Sequence, residues 1–279
     1  MIPQYCLTFL TDYGLEDGFV AACHGIAFQI APNARFIDIT HLVSPGDIRR
    51  GAAILTQTVP YLAAAVHVAV IDPGVGTSRR GIAVQAASGS FFVGPDNGLL
   101  SWAVAASGGA TAAVSLTRTA LWRDENIPAT FHGRDIFMPV AAHLAAGTPL
   151  AEAGEPVDPG DLVTLPEPFH RVTSEGSIPV LQAEVLTVDR FGNIQLSGTA
   201  ADAERAGIAP GVTIIVTWAD GQVTAPFRRT FGDVPPGDLV ACTDSADYVS
   251  LAVNGGDAAA RLALRAPARV TLARRPAVP

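Results

Sequence analysis

Asp72-Pro73-Gly74-Val75-Gly76-Thr77-Ser78-Arg79-Arg80 sets a carboxylate and two guanidiniums around a Pro-Gly turn, a second glycine and a hydroxyl pair. Glycines let a backbone approach a ligand closely, so one reading folds the acid and an arginine back toward a single point. The other reading is a tight turn whose Asp caps amides and whose arginines are solvated. Phe131-His132-Gly133-Arg134-Asp135 adds a histidine directly before an expected helix start. The positive end of a helix dipole keeps such an imidazole neutral near pH 7; a satisfied structural histidine is the competing reading. Asp189-Arg190-Phe191-Gly192-Asn193 offers an acid for a cation, an aromatic for a ring face and an amide for hydrogen bonds. It reads equally as a plain β-turn. Thr230-Phe231-Gly232-Asp233 and Asp244-Ser245-Ala246-Asp247-Tyr248 are further polar-aromatic loops.

Other chemistries lack their signatures. There is no GxGxxG, no P-loop and no GxSxG elbow. The six histidines never pair at i, i+4, so no metal site is expected from them. Three widely spaced cysteines, Cys6, Cys23 and Cys242, give no disulfide framework. With no signal-like opening and no apolar run of membrane length, the expected location is cytoplasmic. A net charge of −8 from 18 basic and 26 acidic residues argues against a nucleic-acid partner, which wants a basic face, and mildly favours a cationic small ligand.

The elements that must position these residues alternate in the first half. Strand patterns at 5–11, 35–39, 66–71, 82–85 and 91–93 are separated by amphipathic helices at 19–30 and from Ser44, read as an N-cap with Pro45 at N1. A further helix is expected from about 135 to 146. Such alternation implies an α/β domain with a mostly parallel central sheet and flanking helices. Ligands gather at the carboxyl ends of parallel strands, and Asp12 and Asp72 both fall where a strand ends. Prolines between 155 and 179 read as an interdomain linker. Short β-like runs follow at 181–188, 212–218, 239–242, 248–253 and 269–273, predicting a smaller all-β, barrel-like C-terminal domain. The expected boundaries are residues 1–165, a linker at 166–180, and residues 181–279.

Six segments in this order resemble one family, the S-adenosylmethionine (SAM) hydroxide adenosyltransferases or SAM hydrolases, relatives of the SAM-dependent fluorinase and chlorinase. They are Leu10-Thr11-Asp12-Tyr13-Gly14, Asp72 through Thr77 with Arg79, Gly94-Pro95-Asp96-Asn97-Gly98-Leu99, Phe131 through Asp135, Asp189 through Asn193, and Tyr248 through Asn254. The resemblance runs over residues 5–272. It implies hydrolysis of SAM to adenosine and L-methionine by water or hydroxide attack at C5′, with SAM as substrate, no further cofactor and no metal. It also implies a homotrimer in which SAM lies between the N-domain of one subunit and the C-domain of its neighbour. Asp72, Arg79 and His132 match the family's Asp-Arg-His constellation. Asp12 suits the ribose hydroxyls, Phe191 and Phe231 match adenine-contacting aromatics, and Asn193 can read the adenine edge. Asp189 would meet the methionine ammonium and Ser245 its carboxylate, with Tyr248 in the same motif; backbone at Asn254 and Gly255 would complete the adenine pocket.

The halogenating relatives carry a tyrosine where this chain has Asp72 and a serine where it has Gly133, and the fluorinase's long insertion after the third strand region is missing. Two positions depart from the fluorinase: Gly46 replaces a large aromatic by the ribose, and Ala246 an arginine near the methionine carboxylate. Three other readings stay open on residue chemistry. Asp12, Asp47 and Asp72 could converge around Mg²⁺ in a phosphohydrolase, SAM could be halogenated, or the chain could bind adenosine or SAM without turnover.

Overall fold

A computed structural model describes residues 6–276. The chain divides into two compact units, Met1–Pro166 and Glu167–Pro279. In the first, β1 (Cys6–Thr11), β2 (Arg35–Thr40) and β3 (Ala65–Val70) lie parallel; Tyr5, expected in β1, lies outside the described residues. All six residues of β3 are buried, as a central strand covered on both faces requires. The order across the sheet is β2-β1-β3-β5-β4-β6-β7, where β4 is Gly81–Ala86, β5 Phe91–Pro95, β6 Ala110–Ser115 and β7 Glu155–Val157.

This corrects the mostly parallel sheet expected from the sequence. β5 is parallel to β3, but the pairs β4–β5, β4–β6 and β6–β7 are antiparallel, so the sheet is mixed. The cause is the link from β4 to β5, a tight turn at Gly89 with φ +84°. So short a connection allows only a hairpin, since a parallel crossover needs a dozen or more residues. Helix α1 (Phe19–Ile30) packs against α4 (Met138–Ala145), and α2 (Ile48–Thr58) against α3 (Ser101–Ala106). Leu7, Phe9, Val66, Val68, Val93, Phe137 and Val140 form the core beneath α1 and α4.

The second unit holds β8 (His170–Glu175), β9 (Ile178–Val188), β10 (Ile194–Thr199), β11 (Thr213–Trp218), β12 (Gly221–Pro226), β13 (Leu239–Thr243), β14 (Tyr248–Val253) and β15 (Arg269–Arg274), with short helices α5 (Ala200–Arg205) and α6 (Ala258–Leu262). Its order is β12-β11-β15-β9-β10-β14-β13, with β8 also on β9. Every named pair is antiparallel, and a bridge from Phe227 to Ala241 joins the two ends into a nearly closed barrel. The stretch 166–180, expected as a linker, instead carries β8 and the first residues of β9. Gly176, at φ +64°, turns the chain between them, and only Pro166 and Pro168 precede the hairpin.

Candidate active site

β1, β3 and β5 run parallel, so their carboxyl ends share one edge of the sheet, and Asp12, Asp72 and Asp96-Asn97 emerge there. A Cβ on Gly94 would stand 2.2 Å from the Ala69 carbonyl oxygen, so glycine is what lets β5 close onto β3. Asn97 Nδ2 then donates to the Ile71 carbonyl at 2.8 Å and fixes the chain just before Asp72. After Asp72 two successive turns follow, through Val75 N to Asp72 O and Thr77 N to Gly74 O. Gly76 takes φ +76° against Ala129.

These turns bring Arg79 back onto Asp72. Arg79 Nε donates to both carboxylate oxygens, at 2.9 and 3.0 Å, and Nη2 donates to Oδ2. The same Nη2 lies 2.9 Å from His132 Nδ1. A guanidinium has no acceptor, so Nδ1 must accept and the ring proton sits on Nε2. Burial and the Arg79 charge lower the His132 pKa, against a smaller opposing pull from Asp72 and Asp135. The imidazole is therefore neutral at neutral pH, through burial and Arg79 rather than through the helix dipole alone. The Arg79 and Asp72 side chains are only 13% and 6% exposed, and Arg79 also lies over the Phe137 ring at 5.1 Å.

A cleft of about 390 Å³ opens beside this group, lined by Asp12, Tyr13, Gly46, Asp72, His132 and Gly133 among others. Arg79 is not in its wall; it stands behind and joins Asp72 to His132. Asp12 Oδ2 accepts from Gly46 N at 2.8 Å. Helix α2 starts at Ile48 with Asp47 as its cap, accepting from Arg50 N at 3.0 Å. Ser44 is not the cap, because the left-handed turn at Gly46 interrupts the chain between it and the helix. Thus Asp12, Asp47 and Asp72 each serve a different partner. Among the described residues, no group of three His, Cys, Asp or Glu is placed to hold a metal ion.

His132 begins a π-helical turn, Gly133–Phe137, that leads into α4; such turns recur at functional sites. Asp135 pins it. Its side chain is fully buried and accepts from Arg134 at 2.7 and 2.8 Å and from Arg123. Burial acts to raise its pKa, but those hydrogen bonds and charges outweigh it and hold Asp135 below the usual carboxylate range. Asp135, Asn97 and Tyr13 had no site role assigned from sequence. The available signal was their place in three of the segments that carry the family resemblance.

In the second unit Asp189 closes the β9–β10 turn. Its carboxylate accepts from Phe191 N at 2.8 Å, Asn193 N at 2.9 Å and Asn193 Nδ2 at 2.7 Å. The turn reading is therefore true of its backbone, and it leaves Phe191 71% exposed. Phe231, 40% exposed, starts a short 3₁₀ turn closed by Thr230 and Asp233. Asn254 Nδ2 donates to Val234 O at 2.7 Å and ties that segment to the end of β14, where Gly255 takes φ +73°. Asp244 accepts from Ala246 N and Tyr248 N at 2.8 and 3.0 Å, shaping the loop that carries Ser245. Tyr248 opens β14 and Asn254 follows it, so the structure sets Ser245-Tyr248 and Asn254-Gly255 at opposite ends of that strand, roughly 20 Å apart at 3.3 Å per residue.

Residues 7–154 match the N-terminal domain model, and residues 183–271 the C-terminal domain model, of the SAM hydroxide adenosyltransferases. The chain belongs to this family. A protein of Salinispora arenicola (strain CNS-205) named (R)-S-adenosyl-L-methionine hydrolase is 56% identical over 258 residues, 92% of this chain and 94% of that one. A fluorinase of Actinoplanes sp. (strain N902-109) is 29% identical over 293 residues, covering 95% and 96%. The crystal structure of an uncharacterized conserved protein from Thermotoga maritima matches with a TM-score of 0.89 at 32% identity, over 95% and 99% of the two chains.

Within this adenosyltransferase chain the differences at Gly46 and Gly133 have local causes, and nothing in the structure explains the one at Ala246. Gly46 sits at φ +76° and gives its amide to Asp12, a conformation an aromatic residue would strain. Ala246 uses its amide on Asp244. At 133 any Cβ would meet Tyr13 Oη at 2.0 Å, so the serine of the halogenating relatives does not fit here. Among the described residues, no helix is long and apolar enough to cross a membrane.

Proposed function

We propose that the protein hydrolyses S-adenosyl-L-methionine to adenosine and L-methionine, with Asp72, Arg79 and His132 as the group that holds the water. The observation that carries this reading is one guanidinium bonded at once to a buried carboxylate and to a neutral imidazole beside the cleft. Water attacks C5′, the C5′–S bond breaks with its electron pair going to sulfur, and methionine leaves neutral. Such a substitution moves the positive charge from sulfur to the attacking oxygen, so it gains from placement of the water and from a nearby acceptor for its proton more than from strong base.

The roles follow from hydrogen-bond capacity. His132, with its proton on Nε2, donates to the water oxygen and cannot take a proton there. Asp72 has lone pairs left after Arg79 and accepts a water O–H. Attack leaves a protonated hydroxyl on C5′, acidic enough for even a guanidinium-paired carboxylate to take its proton. Arg79 is then a positioning residue: it orients Asp72 and fixes the His132 tautomer. Because protonated His132 cannot accept from Arg79, turnover should hold as pH falls through 6.5 and decline only below that value, which burial and Arg79 push down. A pH–kcat profile whose acid limb lies above 6.5 would count against this assignment.

Asp12 is proposed for the ribose hydroxyls, Phe191, Phe231, Asn193 and the Asn254-Gly255 backbone for adenine, and Ser245 and Tyr248 for the amino-acid end; Asp189, expected at the ammonium, shares the turn of Asn193 at the Asn254 end of β14, so its carboxylate is proposed to set that turn. The spread of these groups along β14 suits an elongated ligand with two differently held ends. The resemblance further suggests a homotrimer with sites shared between subunits, a reaction needing no metal or cofactor, and a cytoplasmic setting. The free thiols Cys6, Cys23 and Cys242 accord with a reducing compartment.

The test is chromatography of purified protein with SAM, with chelator and chloride as separate arms, repeated along a dilution series followed by sedimentation. Adenosine plus methionine in every arm, with activity lost as the trimer dissociates, is expected. Unchanged SAM, or 5′-chloroadenosine, would overturn the hydrolase reading. Full activity from a monomer would overturn the shared site.

A further inference from the structure

We propose that Tyr13 is a further member of the water site: its hydroxyl oxygen, seated on Gly133 next to His132, accepts the second O–H of the attacking water. Residue 133 is glycine so that this hydroxyl fits. The inference deepens the hydrolase reading and rests on it.

Tyr13 follows Asp12 at the exit of β1 and lines the same cleft as Asp72 and His132. Its ring is fixed from three sides, with centroids of Phe9, Phe19 and Phe131 at 6.2, 6.0 and 5.6 Å. Its amide donates to Thr11 Oγ1 at 3.1 Å, and that hydroxyl lies 2.9 Å from His41 Nδ1. The next amide, Gly14 N, donates to the His41 carbonyl at 2.8 Å. The ring therefore has one place to put its oxygen, and that place is the Gly133 backbone. A Cβ on Gly133 would lie 2.0 Å from Oη and 3.0 Å from Cζ. No side chain can be added at 133 while that oxygen stays where it is.

The water's own valences call for this partner. A water that accepts from His132 Nε2–H and donates to Asp72 has one O–H and one lone pair left. If the spare O–H is held, the spare lone pair has a single direction, which is the condition for in-line attack. A phenol oxygen accepts while its own proton points elsewhere. Burial, reinforced by Cys23, Asp12 and Asp72, pushes the phenol well above its ordinary value, so Tyr13 keeps its proton and adds no charge.

Three variants test this. Tyr13→Phe keeps the ring and removes the oxygen; we expect kcat to fall at least about tenfold, with KM within about twofold. Gly133→Ala collides with the oxygen and should cost at least as much. Adding Gly133→Ala to Tyr13→Phe should cost less than the product of the two losses, because the 2.0 Å collision is gone and only the tight contact with Cζ at 3.0 Å remains; a merely structural glycine would give losses that multiply. Thermal melts accompany each assay, and a variant that melts early is assayed below its melting temperature. Tyr13→Phe turning over within twofold of the unsubstituted protein, or fully multiplicative losses, would overturn the inference. Absence of adenosine release by the unsubstituted protein would instead overturn the hydrolase reading itself, and the inference with it.

Discussion

Arg79→Lys is expected to lower turnover by about 10²–10³-fold while changing SAM affinity by much less. The guanidinium makes three bonds to Asp72 and a fourth contact to His132 from one rigid plane. A lysine ammonium keeps the charge but is a point on a flexible stem, able to meet the carboxylate or the imidazole and not both in the same geometry. His132 then loses the donor that fixes its tautomer, and Asp72 loses its orientation. Binding is spared because Arg79 stands behind the cleft wall, so the loss should appear in single-turnover rates and not in equilibrium titration with SAM. Arg79→Met goes further. It strands a carboxylate that is 6% exposed and should cost about 3–5 kcal/mol of stability by denaturant titration. Arg79→Lys at near-normal kcat would remove Arg79 from the mechanism.

The sequence made the chemical groups readable and their connection unreadable. Asp72 and His132 could be singled out because one follows a buried strand and the other precedes a helix, and both positions restrict what a polar residue is doing there. That Arg79, and not Arg80, turns inward came from the family resemblance alone, since adjacent identical residues read alike. The choice is made by Asp96, which takes Arg80 Nε at 2.9 Å and thereby holds it out of the site. Asp189 shows a different limit: its pattern fitted a ligand edge and a β-turn equally, and the structure uses its carboxylate for the turn while exposing Phe191. Residue type does not separate those alternatives, since the same oxygen can cap amides and meet a ligand.

The fold divides along the same line. Buried strands look alike whether their neighbours run parallel or antiparallel, so the alternating pattern suggested a parallel sheet throughout. The four residues between Ala86 and Phe91 were the available signal, too few for any crossover. β8 was hidden differently: prolines flanking it dominated the reading of a stretch whose interior, Arg171 to Glu175, pairs along β9. Order and pairing depend on contacts far apart in the chain, which local periodicity does not encode.

The main pH-dependent effect on stability comes from a residue outside the site, His67. It lies in the middle of β3, fully buried, with Thr8 Oγ1 2.9 Å from Nδ1 and the Phe92 ring at 4.8 Å. Burial lowers its pKa to about 4, against about 6.5 for an unfolded chain. Below pH 6.5 the unfolded state therefore binds a proton that the folded state refuses. Stability is full above 6.5 and is lost progressively as pH falls toward 4, by about 3 kcal/mol in all. Urea titrations at pH 7.5 and 4.5 should reveal the fall. His41, His132 and His143 are lowered in the same direction by burial, so the decisive comparison is with His67→Leu. Removing the imidazole leaves the Thr8 hydroxyl without that partner and should cost stability at pH 7.5, yet the drop between the two pH values should shrink by most of the His67 share. Asp135 and Asp202, held below 3.8, lose their contribution only at still lower pH and leave this window clear. An unchanged drop in His67→Leu would mean that the buried imidazole is not what makes the fold acid-sensitive.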